Sequence, residues 1–199
     1  HMLGVARSHH GLGIGFRLKL AQREHVLGQS LSLITWTFDP LESPNANLNF
    51  RKLGATCRTY FRDVYGEMRD EINAGVPTDR FQVDWHIESE HVRRRIELGK
   101  TASVGGWMAD GAQLVNDSPA ARGPAPPAEI LALDGTTLLV EIPTDFQRIR
   151  SEDAQLARRW RATTRRLFET AFAAGYTVVG FIFERGRSTY VLAHGWSAI

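Results

Sequence analysis

Gly11, Gly13 and Gly15 stand at alternate positions in Val5–Lys19 (VARSHHGLGIGFRLK), after a short apolar stretch and before a helical pattern. Glycine has no Cβ, so the backbone there can approach a ligand closely. Free amides at a helix N-terminus, reinforced by the helix dipole, form an anion site. A pyrophosphate fits such a cradle, and a tight turn without a ligand is the simpler alternative. Two common phosphate motifs are excluded. Three residues beyond Gly13 lies Phe16, so the Gly-x-Gly-x-x-Gly spacing of a dinucleotide site is absent, and no Gly-Lys-Ser/Thr follows for a Walker loop.

Other residue groups carry weaker signals. His86, Glu88, Glu90 and His91 lie close together, but their spacing matches no zinc signature and a solvated strand edge explains them. Asp79-Arg80 reads as a loop ion pair or as a clamp for a substrate carboxylate, since Arg grips carboxylates with two parallel hydrogen bonds. Arg93 to Arg95, and Arg158, Arg159, Arg161, Arg165 and Arg166, have acidic neighbours and read as solvated faces or subunit contacts rather than a phosphate surface. Cys57 reads as a small buried hydrophobe.

The elements that must position these residues fall into two blocks. In the first, Met2–Val5 reads as a strand, Phe16–Leu27 as a helix with Phe16, Leu20, Arg23 and Leu27 on one stripe, and Leu31–Thr37 as a strand buried on both faces of a parallel sheet. Ser43 as cap, Pro44 in the first turn and Gly54 as stop bracket a short helix, and Thr56–Tyr65 and Phe81–Ile87 read as further strands. In the second block Leu138–Ile142 is a strand, Ser151–Ala174 a single helix capped by Ser151, and Tyr176–Glu184 and Ser188–Ala193 strands. Between the blocks, 101–128 holds four of the eight prolines and reads as a linker or long loop. The resulting division is a core over 1–100, the linker over 101–128 and a C-terminal αβ subdomain over 129–199.

Composition narrows the function classes. The 199 residues are 43% hydrophobic and 23% charged, ordinary for a globular chain. Residues 1–100 carry fourteen basic and twelve acidic side chains and 101–199 ten of each, which argues against nucleic acid as a partner. The lone Cys57 excludes an intrachain disulfide and a Cys-based zinc site, as expected of a cytoplasmic protein. No apolar run approaches the ~20 residues of a membrane span.

The glycine segment resembles the acyl-CoA pyrophosphate loop of the GCN5-related N-acetyltransferase (GNAT) superfamily, Arg/Gln-x-x-Gly-x-Gly/Ala, with His10, Gly13 and Gly15 at the marked positions. His10 departs from the family's Arg or Gln. Only a charged imidazole adds Coulomb attraction, so affinity for acyl-CoA is expected to fall as pH rises above about 6.5. A second landmark, a helix bearing Asn and Ala and closing with an aromatic, Lys and Gly, is matched by Asn45, Ala46, Asn49, Phe50, Lys52, Leu53 and Gly54. Nearly the whole chain looks like one branch of that superfamily, through Trp36-Thr37-Phe38-Asp39-Pro40-Leu41, Pro77-Thr78-Asp79-Arg80-Phe81, Glu141-Ile142-Pro143 and Trp160-Arg161. That branch is similar to succinyl-CoA-dependent N-acyltransferases of amino acids.

The resemblance implies an α/β fold with the mixed sheet of a GNAT-like N-acyltransferase, lacking the usual N-terminal strands. It implies acetyl-CoA or another acyl-CoA as cosubstrate, no metal, and a small-molecule amine as acceptor. Amides of Gly11, Leu12, Gly13, Ile14 and Gly15 with His10 would hold the pyrophosphate, the strand at Leu3–Val5 would pair with the pantetheine arm, and Asn45 or Asn49 would touch the cofactor. Transfer from a thioester to an amine needs a base for the amine and an acid for the leaving thiolate. Asp39, at the end of a strand, is the candidate base, with an Asp-Pro turn as its alternative. The family's acid is a Tyr where this chain has Phe50, so Tyr65, or else Tyr60, is expected to replace it, unless the thiolate leaves unassisted. Phe50 and the loop's position so near residue 1 also suit a CoA-binding or regulatory module without turnover, and a homodimer is one way to fill the missing half of the site.

Overall fold

The computed structural model describes residues 4–9, 11–66, 75–99, 102–116, 126 and 132–197. Gly13, in the left-handed conformation with φ 72°, opens helix α1 (Ile14–Leu27), which lays Phe16, Val26 and Leu27 on the core. Strand β1 (Leu33–Phe38) follows. Lys19 of α1 is held over its Trp36 ring at 3.5 Å, and burial lowers the lysine pKa to about 8. Helix α2 (Ser43–Ala46) runs directly into a π-helical turn (Asn47–Lys52), which Gly54 ends with φ +68°. Strands β2 (Thr56–Phe61) and β3 (Arg80–His86) precede α3 (Glu90–Leu98), α4 (Val104–Ala109) and β4 (Gln113–Leu114). The chain continues as β5 (Thr137–Ile142), α5 (Phe146–Glu152), α6 (Ala154–Ala173), β6 (Tyr176–Glu184) and β7 (Arg187–His194).

The protein is therefore α/β, with one seven-stranded mixed sheet of order β1-β3-β2-β6-β7-β5-β4. Among the described residues only the β4–β5 pair is parallel. β1 is an edge strand, not the doubly buried parallel strand that its apolar run suggested. Ile34 and Phe38 are buried and Trp36 half-buried, while Leu33, Thr35 and Thr37 are exposed, the alternation expected when one sheet face meets the core. The first and second blocks share this sheet through Cys57 opposite Val178. They also share one aromatic cluster: Phe81 of β3 lies 4.8 Å from Phe168 of α6 and 5.7 Å from Tyr190 of β7, edge to face.

Four local expectations are corrected. Gly4–Ala6 form no strand, and Arg7–His9 make a single 3-10 turn. The helix expected over Ser151–Ala174 is two helices, because Asp153 adopts an extended conformation and its carboxylate accepts the Leu156 N–H at 2.9 Å, capping α6 afresh. Ser43 does not cap. Glu42 occupies that position, and the Ser43 hydroxyl shares a buried 2.7 Å hydrogen bond with Ser188. The segment read as a linker contains α4, capped by Ser103, and β4; buried Asn116 then grips the backbone of Glu141 from both sides at 2.8 and 2.7 Å. Most of its prolines lie outside the described residues.

Candidate functional site

The glycine loop is exposed at Gly11, Leu12 and Gly13, with Ile14 and Gly15 half-buried. Gly11 and Gly13 have φ of +81° and +72°, and a Cβ at either would meet nothing within 4 Å. What demands glycine here is backbone conformation, not crowding. The first turn of α1 has no side-chain cap and no acidic residue, so its dipole end faces no competing anion of its own. Gly15 is different: a Cβ there would lie 3.6 Å from Leu48 and 4.0 Å from Val5, so the start of α1 packs directly on the π-helical turn. Val5 stands in irregular chain rather than in a strand, and Leu3 and His10 lie outside the described residues.

The π-helical turn brings the second landmark to the end of β1. Asn49 and Phe50 are buried within it, and Phe50 packs between Phe38 at 5.9 Å and Tyr190 at 5.7 Å, as a core residue. Asn45, one turn earlier, is exposed and lines a cavity of about 450 Å³ beside the C-terminal end of β1, together with Asp39, Glu42, Tyr65, Arg80 and Arg161. Asp39, Asn45 and Tyr65, three residues singled out from sequence, thus converge on one cavity. Asn49 and the glycine loop do not line it.

Asp39 is spoken for. Arg161, only 2% exposed, grips it through both guanidinium branches, one at 2.8 Å, and its Oδ1 also accepts the Leu41 N–H at 2.9 Å. Accepting a substrate proton there would break a buried ion pair, so Asp39 orients Arg161 and does not suit the part of a free base. The bases and acids that remain are clearer. Glu42 has its pKa raised, first by burial and second by the negative charge of Asp39, against the opposing Gln147, Arg150 and Arg161. A carboxylate poised upward in a cavity is a candidate general base, and sequence reasoning missed it. Its signal was weak: an acidic residue three positions beyond Asp39 that also looks like an ordinary helix-start residue.

The two tyrosines separate cleanly. Tyr60 donates to Asp79 at 2.6 Å, and burial followed by that carboxylate pushes its pKa up, which ties its proton into the structure. Tyr65 is 58% exposed, lines the cavity, and carries the Arg80 guanidinium 5.0 Å above its ring. Its position is set from below: its N–H donates to the Thr78 hydroxyl at 2.9 Å, and Asp63 receives the Thr78 N–H at 3.0 Å.

Asp79 and Arg80 do not pair with each other. Burial acts to raise the Asp79 pKa, but Arg165, Tyr60 and the Asp63 N–H prevail and lower it. Arg165 supplies a two-branched grip at 2.8 and 2.6 Å. Arg80 instead donates from Nη1 to the Asp79 carbonyl at 2.8 Å, with the same nitrogen 3.8 Å from Asp39, and the residue lines the cavity. Arg161 and Arg165, read from sequence as part of a solvated helix face, are turned inward onto these two aspartates. Among the described residues no group of three or more His, Cys, Asp or Glu side chains is placed to hold a metal, and no helix is long and apolar enough to cross a membrane.

Comparison of the chain with known protein families, with curated proteins and with solved structures finds no match.

Proposed function

We propose that the protein is an acyl-CoA-dependent N-acyltransferase that transfers an acetyl or succinyl group to the amine of a small molecule such as an amino acid. The observation that carries this reading is the packing of Gly15 beside Leu48, which sets the anion-ready start of α1 against the π-helical turn that continues α2, the helix that places Asn45 on the cavity. A cosubstrate with a pyrophosphate at one end and a thioester at the other would bridge the two. The further support is the resemblance of both segments to the GNAT landmarks.

In this reading the acceptor amine attacks the thioester carbonyl carbon. The C–N bond forms, the C–S bond breaks, Glu42 receives the amine proton, and Tyr65 delivers a proton to the departing thiolate. Direct attack is favoured over an acyl-enzyme because Cys57, the sole cysteine, is buried and its thiol pKa is raised by that burial, so it offers no thiolate. Arg80, facing the cavity with its guanidinium only partly engaged, suits the carboxylate of an amino acid acceptor.

The test is release of free CoA thiol from acetyl-CoA and succinyl-CoA in the presence of a panel of amino acids. Turnover that falls by about a hundredfold in Glu42→Gln and about tenfold in Tyr65→Phe is the expected result. A second reading, a CoA-binding regulatory module, draws on Phe50 being a core residue where the family places its acid. Cosubstrate binding without thiol release would favour it, and absence of binding would overturn both.

A further inference from the structure

A second cavity, of about 510 Å³, lies between α3 and the strands β6 and β7. Along β7, Val191 and Ala193 alternate with Tyr190 and Leu192, so the cavity meets the sheet face opposite the aromatic cluster. That face has its own apolar group, Leu139, Val179, Ile182 and Val191, against which Trp107 and Trp196 pack. The cavity volume is in the range that takes small organic ligands.

Four ionisable side chains of α3 also line this apolar surface: Glu90 and Arg94, which pair with each other, and Arg95 and His91. Arg95 reaches in from α3 with its stem against Gly54, where a Cβ would come within 2.9 Å of the Arg95 Cβ. Its Nη2 lies 4.0 Å from where a Cβ on Gly180 would stand, beside the register shift of β6. Among the described residues its guanidinium makes no hydrogen bond and no ion pair; the nearby carboxylate of Glu90 is taken by Arg94 at 2.7 Å. Burial, and secondarily Arg51, lower the Arg95 pKa, the mark of a cation held without its counter-charge. One helical turn earlier, the His91 ring packs edge to face on Trp196 at 5.3 Å, and its buried Nε2 has no hydrogen-bond partner.

A half-buried guanidinium without an anion and a buried ring nitrogen without a partner are both costly, and both are relieved by one carboxylate. We propose that this cavity binds a small apolar carboxylic acid, its carboxylate taken by Arg95 and by Nε2–H of neutral His91, its aromatic or branched body lying on Trp107 and Trp196. The site uses none of the residues of the acyltransferase reading and stands or falls apart from it.

Calorimetric titration with phenylacetate, with phenylacetamide as the uncharged isostere, tests it. Arg95→Met, which keeps the stem and removes the charge, is the companion variant. The expected result is saturable one-site binding of phenylacetate, weakened about tenfold or more both for the amide and in Arg95→Met. The amide comparison needs only the wild-type protein, so it decides the matter even if Arg95→Met fails to fold. Absence of saturable phenylacetate binding overturns the proposal, as does binding that the amide reproduces or that Arg95→Met leaves undiminished.

Discussion

Asp39 is the residue whose role the structure changes most. Its place at the end of β1 was legible in sequence because a strand run ends there, but its partner Arg161 is 122 positions away and sat in a row of helix arginines that all looked alike. Nothing local distinguishes an arginine that turns inward. Glu42 was hidden for a related reason: the main cause of its raised pKa is burial, which only the folded packing reveals, with nearby Asp39 adding to it. The pairing makes a sharp prediction. Asp39→Asn strands the buried Arg161 without its counter-charge and should cost about 3–5 kcal/mol of unfolding free energy, measured by urea denaturation. A loss below about 1 kcal/mol would show that water reaches Arg161 and that the pair does not hold the cavity wall.

At the scale of elements, the punctuation of the chain was legible where it is backbone chemistry and illegible where it is tertiary. Gly54 was expected to stop a short helix, and it does, with φ +68°. Arg95, whose stem lies against it, could not be foreseen. Gly54→Ala places a Cβ in the left-handed region, 2.9 Å from the Arg95 Cβ and 3.3 Å from the Val92 Cα, so it should destabilise by about 2 kcal/mol or more. A melting temperature unchanged from wild type would contradict that packing. The break between α5 and α6 is not legible in sequence because Ser151, Glu152 and Asp153 are all acceptable first-turn residues; the choice falls on Asp153, and the Ser151 hydroxyl instead donates to the Arg148 carbonyl at 2.9 Å. For β1, the continuous β-branched and aromatic run suggested burial on both faces, whereas Thr35 and Thr37 already carried the alternation of a single-faced strand.

At the scale of the molecule, the α/β class was legible from the order of elements, but the continuity of the sheet was not, because the β2–β6 pairing joins segments separated by the stretch that looked like a linker. Both candidate cavities depend on that continuity: α6 of the second block supplies Arg161 to one, and α3 of the first supplies Arg95 and His91 to the other. A pH dependence follows from His91, whose pKa burial, and then Arg95, lower to about 4. The unfolded imidazole takes a proton near pH 6.5 while the folded one waits until about pH 4, so the unfolded state binds more protons in that window. Stability is complete above pH 6.5 and declines as pH falls toward 4, with a slope from this group of at most about 1.4 kcal/mol per pH unit before solvent screening. His91→Phe should flatten the urea midpoint over that window, and an unaltered slope would remove His91 as its source. Whether the glycine loop at the start of α1 cradles acyl-CoA, as proposed, is decided by calorimetric titration of the protein and of Gly13→Val with succinyl-CoA. One-site binding to the wild type is expected, weakened about tenfold or more by the side chain at this left-handed position. No binding to the wild type, or equal binding to both, would contradict it.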